Sequence, residues 1–152
     1  MRLHQIIEKK FTKRDAFILM NCDNSDYYDS KQRLGGYSLW KKTPFTMKFI
    51  NEWLVLSTDE RLITDIKNTL GENNLDGFID HRHDQSIFSL LTKKYKLEAY
   101  RDPSQFGNNY KEVYINSNYP QLIIHNRKRN KTIKQKIKLQ IKHWLTPCKK
   151  NC

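Results

Sequence analysis

Cysteine, glycine and proline are scarce in this sequence, and long apolar runs are absent. Its three cysteines are Cys22, Cys148 and Cys152, an odd number with two in the last five positions. That is not the disulfide framework of a small secreted domain. It also supplies too few sulfurs for a zinc site without other partners, and the last cysteine is misplaced for prenylation, which needs it fourth from the end. Neither G-x-G-x-x-G nor G-x-x-x-x-G-K occurs, so no Gly-rich loop for cradling phosphates is written in the chain. No apolar run approaches the length of a membrane span. The opening MRLHQIIEKKF is too short and too polar for a signal peptide. The expectation is a soluble, cytoplasmic protein.

Hydrophobic residues make up only 38%, but aromatic residues reach 12%. A disordered chain would be poor in aromatics, so 152 residues imply one globular domain with a modest core. The net charge of +12 is unevenly placed. Residues 127–152 hold ten of the 28 Lys and Arg and none of the 16 Asp and Glu, which leaves the first 126 residues at net +2. The chain thus reads as a nearly neutral body, 1–126, and a basic amphipathic tail, 127–152. A dedicated nucleic-acid-binding domain would carry its basic face on the folded body, so this distribution argues against one.

Helices are expected over 2–9 and 13–20, with Thr12 capping the second. A polar turn region, Asn21 to Ser30, follows. Thr43-Pro44 starts a helix by combining a capping hydroxyl with proline at the first position, and Phe49, Ile50, Trp53 and Leu54 form its apolar face. Another short helix is expected from Asp59 to Lys67, and one more after Asp84, read as its N-cap, with Ile87, Leu90, Leu91 and Tyr95 as the buried stripe. Strands are expected at Tyr37–Trp40, Leu97–Tyr100 and Gln121–His125. In the tail, Ile133, Ile137, Ile141, Trp144 and Leu145 share one helical stripe among lysines. Short strands alternating with helices predict an α/β or α+β layered fold.

The densest polar cluster is His81-Arg82-His83-Asp84-Gln85-Ser86, where a loop enters a helix. Free N–H groups and the helix dipole there favour anions and sugar oxygens. Aspartate accepts from hydroxyls, glutamine donates and accepts, and imidazole binds phosphate or metal. The plainer alternatives are a capping aspartate, a solvated arginine and a structural histidine. His81-x-His83 could also direct two rings at zinc, but the hydrolase pattern H-x-H-x-D-H is not completed.

The run HRHDQSIFSLLTKKY resembles a motif near the end of a group of bacterial and viral GT-A-type glycosyltransferases linked to surface polysaccharides. The upstream segments TKRDAFILM and YDSKQRLGGYSLWKKTPFTMKFINEWL are similar to the preceding part of the same domain, so the likeness spans about Phe11 to Asn109. It implies the C-terminal, acceptor-side half of a GT-A-like α/β domain, with few short strands, several helices and a basic C-terminal helix added. It implies transfer of a sugar from a nucleotide-sugar donor to a saccharide acceptor. Asp84 would orient or activate a hydroxyl, Gln32 and Gln85 would hold sugar groups, and His81, Arg82 and His83 would lie near the donor phosphates or acceptor. The family commonly holds Mn²⁺ or Mg²⁺ with a D-x-D pair. Asp23-Asn24-Ser25-Asp26 and Asp26-Tyr27-Tyr28-Asp29 each have one residue too many. The resemblance therefore implies that a separate donor-binding half completes the site. The alternative is a non-enzymatic binding module whose 127–152 tail holds it on an anionic membrane surface or another polyanion.

Overall fold

The computed structural model describes residues 6–111, 114 and 116–125. The helix expected in the tail and the start of the one expected over 2–9 lie outside them. Two units divide at Arg101 and Asp102. The first carries α1 (Glu8–Phe11), α2 (Arg14–Leu19), α3 (Ser25–Tyr28), α4 (Pro44–Leu56), α5 (Glu60–Ile63) and α6 (His83–Lys94), and the second a 3-10 helix, Gln105–Tyr110.

The expected α/β architecture is not found. Among the described residues the one β pairing is an isolated antiparallel bridge between Ile7 and Lys31. A strand is stable only as part of a ladder, and each expected strand has its backbone or side chains committed elsewhere. Trp40 turns its ring onto Phe49, at 5.0 Å between centroids, and Leu39 stands 98% exposed. Leu97 terminates α6: its N–H bonds Thr92 O while Lys96 N–H bonds Lys93 O, with Lys96 at φ 52°. That is the Schellman arrangement, with lysine in the left-handed position glycine usually fills. In the second unit the Gln105 side chain brackets His125, donating to its carbonyl at 2.6 Å and accepting from its N–H at 2.9 Å.

The helices follow their local signals more closely. Thr43 Oγ1 accepts from Thr46 N–H, and Thr46 Oγ1 from Thr43 N–H, a reciprocal capping box with Pro44 just inside. Asp59 caps α5 by accepting from Arg61 N–H, but that helix is one turn and not the longer one expected. Thr12 does not cap α2; Lys13 holds that position, and the Thr12 hydroxyl donates to Glu8 instead. No described helix is long and apolar enough to cross a membrane.

The first unit is organised around α6, which touches α2, α4 and α5. Ile87, Leu90 and Leu91 are fully buried beside Phe17 and Phe49. Phe88 lies against Trp53 at 4.9 Å between tilted rings and meets Phe49 edge-on at 6.1 Å, so aromatic pairs join α6 to α4. Leu54 does not join this face, contrary to expectation: it is 61% exposed. Leu90→Ala should cost about 2–5 kcal/mol in urea unfolding because it opens a cavity in the core, whereas Leu54→Ala should change stability by less than about 0.5 kcal/mol. Equal losses would show that α6 is not the packed centre.

Candidate functional site

The candidate site is built where α6 begins, and a buried polar network holds that end. Glu8 is completely buried, and its carboxylate accepts from Thr12 Oγ1 at 2.7 Å, Gln32 Nε2 at 3.2 Å and Ser89 Oγ at 2.6 Å. Lys93 completes the set with an ion pair. Burial lowers the Lys93 pKa, and the Glu8 charge opposes that fall. A second network organises the loop before the site. The buried Asp15 carboxylate accepts from Thr69 N–H at 2.7 Å and Thr69 Oγ1 at 2.9 Å. Lys13 Nζ, also buried, donates to the Ile66 carbonyl at 3.0 Å.

His81 lies inside this framework, 5% exposed. Its Nδ1 accepts from Lys13 N–H at 3.3 Å, and its Nε2 lies 2.6 Å from the Leu62 carbonyl. A carbonyl only accepts, so the ring is the neutral tautomer with its proton on Nε2. Burial is the main cause that pushes the His81 pKa down to about 4. Both nitrogens are spent joining α2, the end of α5 and the entrance to α6.

Gln32 and Gln85 are brought together: Gln85 Nε2 donates to Gln32 Oε1 at 3.0 Å. Gln32 Nε2 also stands within 3.2–3.3 Å of Glu8, Phe11 O, Thr12 and Ser86. Gln85 Oε1 accepts from Gly35 N–H at 3.3 Å. That approach requires glycine, because an added Cβ at residue 35 would stand 3.1 Å from the Gln85 Cα. Both amides therefore brace the start of α6.

Arg82, His83 and Asp84 remain within reach of solvent. The helix begins at His83, with Arg82 as a cap that contributes no side-chain bond, so Asp84 is not the N-cap. It occupies the first turn, where its charge still complements the dipole. Arg82 lies over the Phe11 ring at 4.1 Å, a cation–π contact, and its N–H bonds Phe11 O and Ser86 Oγ. His83 adopts φ 47°, which costs a side-chain-bearing residue of order 1 kcal/mol. Its Nε2 lies 3.1 Å from the exposed Asp65 carboxylate. The Asp84 carbonyl accepts from Trp53 Nε1–H at 3.3 Å, leaving its exposed side chain with no hydrogen-bond partner among the described residues.

These residues do not fit the divalent ion that the resemblance implies. Among the described residues no three His, Cys, Asp or Glu side chains are grouped to hold a metal. Of the three aspartates nearest to a D-x-D pattern, Asp23, Asp26 and Asp29, two are engaged: Asp23 with Arg14 and Tyr28, and Asp29 with Lys9. No protein-family model, curated protein or solved structure matches the chain.

The neutral buried imidazole makes stability depend on pH. The unfolded chain takes a proton on His81 near pH 6.5 and the folded chain only near 4, so between these values the unfolded state binds more protons. Stability from this group is complete above about pH 6.5 and falls as pH drops toward 4, by about 3 kcal/mol in all. Urea titrations at pH 7 and pH 4.5 should show the loss in the natural chain and a smaller one in His81→Gln. An equal loss in both would assign the acid sensitivity to the carboxylates.

Proposed function

We propose that this chain is the acceptor-side part of a glycosyltransferase, which carries a sugar from a nucleotide-sugar donor to a saccharide hydroxyl when a donor-binding half completes it. The observation that carries this reading is the contrast within the H-R-H-D-Q-S run. Its backbone and its inner side chains are fixed by the networks around Glu8 and His81, while Asp84 alone presents an uncommitted carboxylate to solvent. A charged acceptor held on a rigid first turn suits a group that receives a sugar hydroxyl in a fixed direction.

In the proposed reaction Asp84 accepts the hydrogen bond of the attacking hydroxyl, orients its oxygen toward the anomeric carbon and takes up its proton as the new bond forms. The bond to the nucleotide diphosphate breaks as the new glycosidic bond forms. His83 and Arg82 supply positive or donor character beside it, where leaving-group charge would develop. Gln32, Gln85 and His81 act through the backbone they hold. Mn²⁺ or Mg²⁺, if the reaction uses one, would be held by the donor-binding half.

Asp84→Ser separates the site from the scaffold. Serine keeps a polar group in the first turn but removes the charged acceptor, and a charge-assisted hydrogen bond contributes about 1.5–3 kcal/mol. Transfer by the protein reunited with a donor-binding half should fall about tenfold or more, while stability falls by no more than about 1 kcal/mol through the lost dipole contact. The residues 1–152 alone should transfer no sugar from a nucleotide-sugar with Mn²⁺ supplied. Full activity in Asp84→Ser would remove this aspartate from the reaction. Turnover by the isolated chain would overturn its dependence on a second half.

A further inference from the structure

We propose that the outward face of α4, with the segment 34–42 leading into it, docks on an anionic lipid surface. The inference rests on the surface of the first unit and is independent of both the glycosyltransferase reading and the 127–152 tail.

An amphipathic helix turns one stripe to the core and charge to water. In α4 the inward stripe is Thr46, Phe49, Ile50, Trp53 and Leu56, all buried or half-buried. The opposite side is apolar as well: Phe45, Met47, Leu54 and Val55 are 43%, 43%, 61% and 67% exposed. Asn51 and Lys48 interrupt it, and so does the half-buried Glu52, whose carboxylate accepts from the Tyr95 hydroxyl at 2.5 Å. In the segment leading into the helix, Leu39 is 98% exposed. The Thr46 hydroxyl holds the intervening loop by donating to the Lys41 carbonyl at 2.7 Å.

Charge identifies the occupant. From Leu34 to Leu56 the sequence has three lysines and one carboxylate, Glu52, a net charge of +2. Lys41, Lys42 and Lys48 are exposed among the apolar residues. Aliphatic side chains interspersed with lysines match the boundary between acyl chains and anionic headgroups, where each basic residue contributes about 1 kcal/mol. A nucleic acid fits less well, because the most exposed residues of the face, Leu39, Leu54 and Val55, are aliphatic, and Phe45 is its one exposed ring. A symmetric dimer through this face would bring like lysine clusters together across its two-fold axis.

The test is sedimentation of the full chain with phosphatidylcholine vesicles, with and without phosphatidylglycerol. The natural chain should bind the anionic vesicles and not the neutral ones. Leu39→Glu combined with Leu54→Glu should lower the partition coefficient at least tenfold, by removing apolar burial and adding repulsion. Lys41→Gln combined with Lys42→Gln should lower it about thirtyfold. Both variants keep the ten basic residues of the tail, so a loss reports on this face even if the tail also binds. If the leucine variant does not fold, as judged by circular dichroism, the lysine variant decides. Unchanged partition in the lysine variant, equal binding to neutral vesicles, or a dimer in light scattering that Leu39→Glu dissociates would each overturn the proposal.

Discussion

A carboxylate removed from water must find its hydrogen bonds within the protein, and Glu8 finds four. Thr12 donates from the end of α1, Gln32 from the loop after α3, and Ser89 and Lys93 from α6. These donors come from three separate stretches of chain, so satisfying one carboxylate fixes where those stretches meet. Removing one member of a buried ion pair usually costs 3–5 kcal/mol, because the remaining charge is stranded. The pair therefore selects this arrangement over others of similar hydrophobic burial. The apolar contacts of Ile87 and Leu90 alone would tolerate a small rotation of α6. The Ser86, Ser89 and Lys93 contacts would not, since each is met at hydrogen-bond distance.

The same constraint reaches the candidate site. Gln32 binds within the Glu8 cluster and also accepts from Gln85, so the first turn of α6 is referred to the buried charge through one side chain. Gly35 lets the loop approach Gln85 closely, and Trp53 fixes the Asp84 carbonyl. On the other side, His81 joins Lys13 and Leu62, and Asp15 secures residues 69 and 70. Asp84 projects from an element anchored on both flanks, which limits the directions from which a hydroxyl could meet it.

Helices were legible in the sequence where local chemistry specifies them. Thr43-Pro44 and the stripe of Ile87, Leu90 and Leu91 contain their own instructions. Strands were not, because Tyr37–Trp40 has the right side chains but pairing belongs to two segments, and no described partner forms a ladder with it. Glu8, Lys13 and Asp15 were also missed as structural residues, since charge ordinarily marks the surface. A signal was present: Ser86, Ser89 and Lys93 follow helical spacing beside the apolar stripe, and Glu8 and Thr12 lie one turn apart. Small hydroxyls and a lysine on the side of a helix that also carries core leucines indicate a buried polar seam. The cluster at residues 81–86 was legible as a place, whereas the division of roles within it depended on contacts with Lys13, Leu62 and Gln32 far away in sequence.

That division bears on how the proposed chemistry relates to stability. Gln32, Gln85 and His81 each hold the backbone, so their replacement lowers stability and displaces Asp84 together, and reduced activity could not be assigned to lost substrate contact. Asp84 differs because its carboxylate bonds no other described residue and serves the fold only through the helix dipole. His83 is intermediate: it is constrained at positive φ and its ring meets Asp65 at the surface, where an exposed pair contributes little to stability. The backbone strain at His83 is offset by the bonds on either side, from Arg82 N–H to Phe11 and Ser86 and from Trp53 to Asp84. Those bonds sustain a tight entry into α6 that positions Asp84 in the first turn, so the fold carries the strain while the carboxylate remains available to a ligand.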